Sequence, residues 1–146
     1  MGRLLIFFCL FAAGVQAQSL ITPEEFEDIS EGKTLYFNNI DGFHGAEQYF
    51  ADREVKWKFA EGQCQTGYWY AEGDAICFQY DNEQFPICWH FWQEQTGIYA
   101  QLLPDTGGPP LKLEFVDTRE ILCDEPYLGV KADVPVPLWT PIPSRP

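Results

Sequence analysis

The chain is 146 residues long, and its 22 acidic and 9 basic residues give a formal net charge of −13 at pH 7. A field of this sign repels nucleic-acid phosphates and anionic lipid surfaces, which argues against nucleic-acid binding and membrane binding. It favours cationic partners, or simply keeps a small protein in solution. The length is enough for one domain and hardly for two.

The N-terminus has the features of an export signal. Arg3 supplies one positive charge, and residues 4–13 form an unbroken apolar run that is too short to span a bilayer. Val15 and Ala17 stand at the −3 and −1 positions of a signal-peptidase site. We therefore predict a signal peptide over residues 1–17 and a periplasmic or secreted protein. Since no second hydrophobic segment follows, we expect no membrane insertion.

A short helix is predicted next. Thr22 can cap it, Pro23 suits the first helical position, and Glu25 at the third position completes a capping box. Gly32 can end the helix.

Beyond Gly32 the apolar residues alternate with a period of two, which is typical of half-buried strands. The predicted strands are residues 34–37, 47–51, 54–59, 64–70, 75–80, the segment after a turn at 81–84, 98–103 and 111–116. Residues 38–42 are predicted as a loop. In the last strand Leu111, Leu113 and Phe115 are expected to share one face. The connections are too short for parallel crossovers, so we predict an all-β antiparallel meander that closes into a small lipocalin-like up-and-down barrel with one short N-terminal helix.

The C-terminal residues differ in composition from the rest. Prolines recur through residues 132–146, and such a segment cannot join a sheet. We predict a single disulfide-bonded β domain over residues 18–131 and a flexible Pro-rich tail over residues 132–146.

Four cysteines remain after the predicted signal: Cys64, Cys77, Cys88 and Cys123. An even number in an exported chain is typical of two disulfides, and the absence of C-x-x-C spacing argues against a zinc ribbon or a thioredoxin-type redox pair. If Tyr80 faces Phe85 across the turn, Cys77 lies directly opposite Cys88, at a separation that a disulfide can bridge. A slip of two residues would make this pairing diagonal. If Cys77 pairs with Cys88, Cys64 pairs with Cys123 by elimination; the other two connectivities stay open.

The same register assigns the faces of this hairpin. The core face would hold Ile76, Phe78, Tyr80, Ile87, Trp89 and Phe91. The other face would carry the cysteine pair with His90 and Trp92.

A candidate binding surface consists of outward-facing residues, namely Tyr68, Tyr70, His90 and Trp92. An aromatic patch of this kind can bind a ligand or a protein, or can pack under the N-terminal helix or the tail. His90 beside Cys88 lacks the further ligands of a metal site, so we expect no metal and no cofactor. His44 is placed on a flexible loop without a partner. No Ser, Cys or Thr stands in a nucleophile-elbow context, so we expect no enzyme.

The motifs G-x-W-Y from Gly67, I-C-F-x-Y from Ile76 and C-W from Cys88 resemble a pattern of small exported alphaproteobacterial proteins of unknown function. Tyr49-Phe50, Arg53, Trp57 and Cys64 fit the same pattern, which extends over residues 22–130. The resemblance implies a location in the bacterial envelope and makes two disulfides more credible. It carries no activity.

We therefore expect a monomeric, exported, non-catalytic protein that acts by binding or interaction. Its expected partner is a basic envelope protein, by analogy with the small β-rich periplasmic inhibitors of lysozyme, or a small apolar ligand. The alternatives are a small-ligand carrier with an apolar barrel cavity, and a hydrolase. A filled core would contradict the carrier, and histidines without a partner group would contradict the hydrolase.

Overall fold

The computed structural model describes residues 19–123. Within this range the chain forms helix α1 (Pro23–Ser30), a short 3₁₀ helix (Ala51–Arg53) and eight strands. The strands are β1 (Thr34–Asn39), β2 (Gly42–Tyr49), β3 (Glu54–Phe59), β4 (Cys64–Glu72), β5 (Ala75–Tyr80), β6 (Ile87–Glu94), β7 (Gly97–Leu103) and β8 (Leu111–Asp117). The predicted signal peptide (1–17) and Pro-rich tail (132–146) lie outside the described residues. No helix within residues 19–123 is long and apolar enough to cross a membrane.

The eight strands of the described range form one closed barrel. Each strand pairs antiparallel with the next, and β8 pairs with β1 to close the sheet. The predicted lipocalin-like, up-and-down meander is therefore confirmed. Because successive strands run in opposite directions, the loops 40–41, 60–63, 81–86 and 104–110 meet at one end, which we call the loop end. Helix α1 lies at the opposite end, which we call the helix end.

Helix α1 closes the helix end through one aromatic side chain. The predicted capping box is present: Thr22 Oγ1 accepts from Glu25 N at 3.2 Å, and Thr22 N donates to Glu25 Oε2 at 2.8 Å. Phe26 is only 1% exposed, and its ring centroid lies 5.2 Å from that of Trp69 and 4.7 Å from that of Phe91. The helix thus removes this end of the interior from water.

Arg53 anchors α1 to the barrel. Its guanidinium donates to both carboxylate oxygens of Glu27, at 3.1 and 2.9 Å, and stacks 4.4 Å from the centre of the Trp69 ring. The paired hydrogen bonds from Arg53 lower the pKa of Glu27. Asp52 and Arg53 both have a positive φ, near 60°, which is uncommon for residues other than glycine and which directs Arg53 toward the helix.

Both predicted disulfides are confirmed. Cys77 lies directly opposite Cys88, with Cα atoms 4.0 Å apart, and Cys64 is bonded to Cys123. The predicted register of the β5–β6 hairpin is correct, although its ladder ends at the pair Phe78 and Ile87, before Tyr80 and Phe85. The inward face of the hairpin also matches the prediction, since its six residues pack into or against the main core.

The second disulfide fastens a C-terminal strap, residues 118–123, to the outside of the barrel. Ile121 is buried against Tyr36 and Ala46, and its backbone N–H donates to Gln48 Oε1 at 2.9 Å. Lys58 Nζ donates to the carbonyl of Leu122 at 2.7 Å. Lys58 points away from the barrel interior and is nevertheless only 5% exposed. The strap therefore gives the barrel a small second core on its outer surface.

Two regions of the strands were predicted wrongly, and the first comprises β1 and β2. The predicted loop at 38–42 and strand at 47–51 are replaced by a longer β1 and by β2, which begins at Gly42 and ends at Tyr49. β2 contains two glycines and few apolar residues, so it lacks the period-two alternation that predicts a strand. Pairing with β1 and β3 stabilises it as a strand nevertheless.

Phe115 is the second error. The register of β8 against β1 shifts between Tyr36, which faces Phe115, and Phe37, which faces Leu113. This bulge turns Phe115 outward, where it stacks on Tyr36 with centroids 4.0 Å apart, while Leu113 stays against the main core. The prediction assumed that successive residues of the strand alternate between its two faces, and this alternation is interrupted at a bulge. The position of a bulge depends on pairing with the neighbouring strand, so the sequence of one strand does not reveal it.

Candidate ligand-binding cavity in the barrel

A cavity of about 130 Å³ lies inside the barrel, toward the loop end. Aromatic rings form most of its wall: Phe37, Trp57, Phe59, Phe78, Trp89 and Phe91. Phe59 and Trp89 are only partly buried, so the cavity reaches toward solvent at this end. The barrel is therefore closed at the helix end and incompletely filled at the loop end.

The inward direction of the cavity side chains follows from the strand period. Gly45, Glu47 and Tyr49 of β2 point into the barrel, because alternate residues of a barrel strand face its interior. A side chain at Gly45 would collide with the ring of Trp57 on β3. Glycine at this position thus makes room for the indole, which in turn forms one wall of the cavity.

Glu47 is the buried polar group of the cavity. Its side chain is 3% exposed; Oε1 accepts from Tyr80 Oη at 2.8 Å and Oε2 accepts from Tyr49 Oη at 3.4 Å. Burial raises the pKa of this carboxyl to about 8, although the two tyrosine hydroxyls act in the opposite direction. Burial and the nearby carboxyl also raise the pKa of Tyr49 and Tyr80. At neutral pH the three groups are therefore mainly uncharged.

The remaining polar wall contains His44 and Gln65, and no lysine or arginine is among the described residues that line the cavity. The β1–β2 register shifts beside His44, and this bulge aims its ring into the cavity, 5.7 Å from the ring of Trp57. Asn39 Nδ2 lies 3.4 Å from His44 Nδ1. Burial lowers the pKa of His44, against a smaller effect of Glu61, so the imidazole is neutral at pH 7. The predicted placement of His44 on a loop is wrong.

The aromatic residues of the predicted surface belong to two separate ring pairs. Tyr68, which is 51% exposed, lies beside Tyr70 with ring centroids 6.2 Å apart. Trp92 stacks on Tyr99 at 5.7 Å and donates to Glu94 Oε1 at 2.8 Å. Tyr70 on β4 lies opposite Cys77 on β5, which lies opposite Cys88 on β6. Trp92 is four residues further along β6, so strand spacing and residue rise place it about 16 Å from Tyr70.

His90 lies on β6, half-buried, between Cys88 and Trp92. A cluster of potential metal ligands does occur nearby, because Glu72 Oε2 is 3.8 Å from Cys77 Sγ. Both sulfurs of that cluster belong to the disulfide, which leaves no thiolate for a metal.

Sequence reasoning missed Glu47, Tyr49, Tyr80 and Gln65 as a group, because they come from three different strands. The sequence signal for this group was a glutamate at an inward-facing position of a strand. That position could be recognised only if the start of β2 had been predicted correctly. No protein-family model, curated protein or solved structure matches this chain.

Proposed function

We propose that the protein is an exported, non-catalytic binding protein that holds a small ligand in the barrel cavity. The observation that carries this proposal is Glu47, a carboxyl buried in an aromatic cavity whose described lining residues include no lysine or arginine. Burying a carboxyl costs stability, and two tyrosine hydroxyls compensate only part of that cost. Apolar pockets with a few convergent polar groups and a perturbed pKa are the usual form of a ligand site.

An extracytoplasmic location fits this role. Two disulfides are typical of proteins that fold in an oxidising compartment. Together with the predicted signal peptide and the resemblance to exported bacterial proteins, they support a periplasmic or secreted binding protein. Small-ligand binding is preferred to hydrolysis because the side-chain hydrogen-bond contact of the His44 ring is the amide of Asn39, at 3.4 Å, which is neither a nucleophile nor a base.

Binding of benzene tests the cavity directly, because an engineered apolar cavity of about 150 Å³ binds benzene in another protein. We expect saturable quenching of tryptophan fluorescence and a rise in the unfolding midpoint, since a ligand that binds only the folded state stabilises it. Ala100→Leu should abolish both effects by filling the cavity, because Ala100 is buried in its wall. Ala71→Leu, at an exposed position, is the matched control and should bind as the wild type does. Unchanged binding in Ala100→Leu would contradict this site.

A second candidate function is interaction with a basic envelope protein, and the exposed Tyr68 beside Tyr70 favours it. The net charge of −13 would steer a basic partner toward the barrel. We expect a basic protein from envelope extract to be retained at low salt, released at high salt and lost with Tyr68→Ala. Equal retention by Tyr68→Ala would exclude this surface.

A further inference from the structure

We propose that the cavity binds a compact organic cation, namely a protonated amine on a small apolar body, with the carboxylate of Glu47 as its counter-charge. This inference rests on the proposed function and specifies its ligand. Three independent features of the described residues support it: the acceptor capacity of Glu47, the chemistry of the cavity wall and the charge of the loop end.

Glu47 keeps room for a donor from the ligand. Each of its two oxygens accepts one tyrosine hydroxyl, whereas an ionised carboxylate offers about four lone-pair sites. An ammonium group placed there would donate a charge-assisted hydrogen bond to the carboxylate, and such a bond is stronger than a neutral one. Tyr49 and Tyr80 would hold the carboxylate in position.

The wall of the cavity suits a cation and disfavours an anion. Faces of aromatic rings such as Trp57 and Trp89 attract cations. Because no lysine or arginine is among the described lining residues, an anionic ligand would find no counter-charge. His44 is neutral at pH 7 and therefore does not repel an ammonium group.

The loops of the loop end carry only acidic charges. Its four loops carry five carboxylates, Asp41, Glu61, Asp81, Glu83 and Asp105, and neither lysine nor arginine occurs in them. A mouth lined by one sign of charge raises the local concentration of ligands of the opposite sign. The cavity lies toward this end, so the charge stands where a ligand would enter.

Binding would exchange one proton. The titratable groups that contact Glu47 are Tyr49 on its own strand and Tyr80 on β5; His44 is the remaining titratable group of the wall. Near neutral pH the carboxyl of Glu47 holds a proton. When the ammonium ion enters, that proton leaves to solvent and the carboxylate pairs with the cation. Affinity should therefore rise up to about tenfold per pH unit between about pH 6 and pH 8, and then level off.

Three probes with the same branched apolar body test the charge preference: isobutylamine, isobutyl alcohol and isobutyrate. By calorimetry at about pH 8 we expect the amine to bind at least about tenfold more tightly than the alcohol, and isobutyrate to bind most weakly. Glu47→Gln should weaken the amine at least about tenfold and change the alcohol by less than about threefold. Glu54→Gln removes the same charge at an exposed position of the helix end and should leave all three affinities unchanged. At about pH 6.5, titrations of the wild type in buffers of different ionisation enthalpy should report release of about one proton.

The outcomes separate the two proposals. Equal affinity for amine and alcohol, tighter binding of isobutyrate, or full amine affinity in Glu47→Gln would overturn the cation preference and leave a ligand-binding cavity. If the three probes and benzene all fail to bind the wild type, the proposed function falls together with this inference.

Discussion

Replacing Glu47 by glutamine is expected to remove a loss of stability that the wild type suffers as the pH rises. The folded state holds the Glu47 proton up to a pKa of about 8, while the unfolded chain releases it near the ordinary value of 4.5. Between these values the folded state binds more protons, so the free energy of unfolding decreases as the pH rises. One pKa unit corresponds to about 1.4 kcal/mol, so the loss from about pH 4.5 to above pH 8 can reach about 5 kcal/mol.

Urea unfolding at about pH 5, 7 and 9, with the disulfides intact, measures this effect. Near pH 5 the variant and the wild type should have similar free energies of unfolding, because the glutamine and the protonated glutamic acid are both uncharged in the folded state. Near pH 9 the variant should have the larger free energy of unfolding. Glu54→Gln, at an exposed position, is the matched control and should follow the wild type. Parallel pH profiles for the wild type and Glu47→Gln would show that Glu47 ionises in the folded state as it does in water.

The Cys64–Cys123 disulfide is expected to contribute about 4 kcal/mol to the free energy of unfolding, because it closes a loop between residues 59 positions apart. The double variant Cys64→Ala, Cys123→Ala should therefore unfold at a clearly lower denaturant concentration. The Cys77–Cys88 disulfide closes a loop of separation 11, and chain entropy predicts a smaller contribution for it, about 3 kcal/mol.

The same variant should loosen the C-terminal strap. Lys58 is covered by the strap and should then react faster with an acetylating reagent, as measured by mass spectrometry. Lys112, which is partly exposed and lies away from the strap, is the internal control. If the loss of stability is below about 1 kcal/mol and Lys58 stays protected, the polar contacts of the strap suffice to hold it, and the loop-closure account is wrong.

Local patterns were sufficient to predict much of this fold. The capping box at Thr22, the bounds of β3 and β5 and the Cys77–Cys88 pairing each depend on neighbouring residues or on one hairpin. The closed meander follows from short connections, which leave antiparallel pairing as the only choice. The predicted binding surface also rests on alternation along single strands, but the distance between Tyr68 and Trp92 depends on β5, which separates their two strands.

The sequence by itself determined that this chain forms a small antiparallel barrel with two disulfides, since period-two alternation, turn residues and cysteine number are all local properties. Only the tertiary structure decided which polar groups share the interior. A bulge in the β1–β2 pairing turns His44 inward, and closure of the barrel brings Glu47 of β2 to Tyr80 of β5. Bulges and barrel closure depend on contacts between distant strands, and the cavity with its buried carboxyl exists only once those contacts have formed.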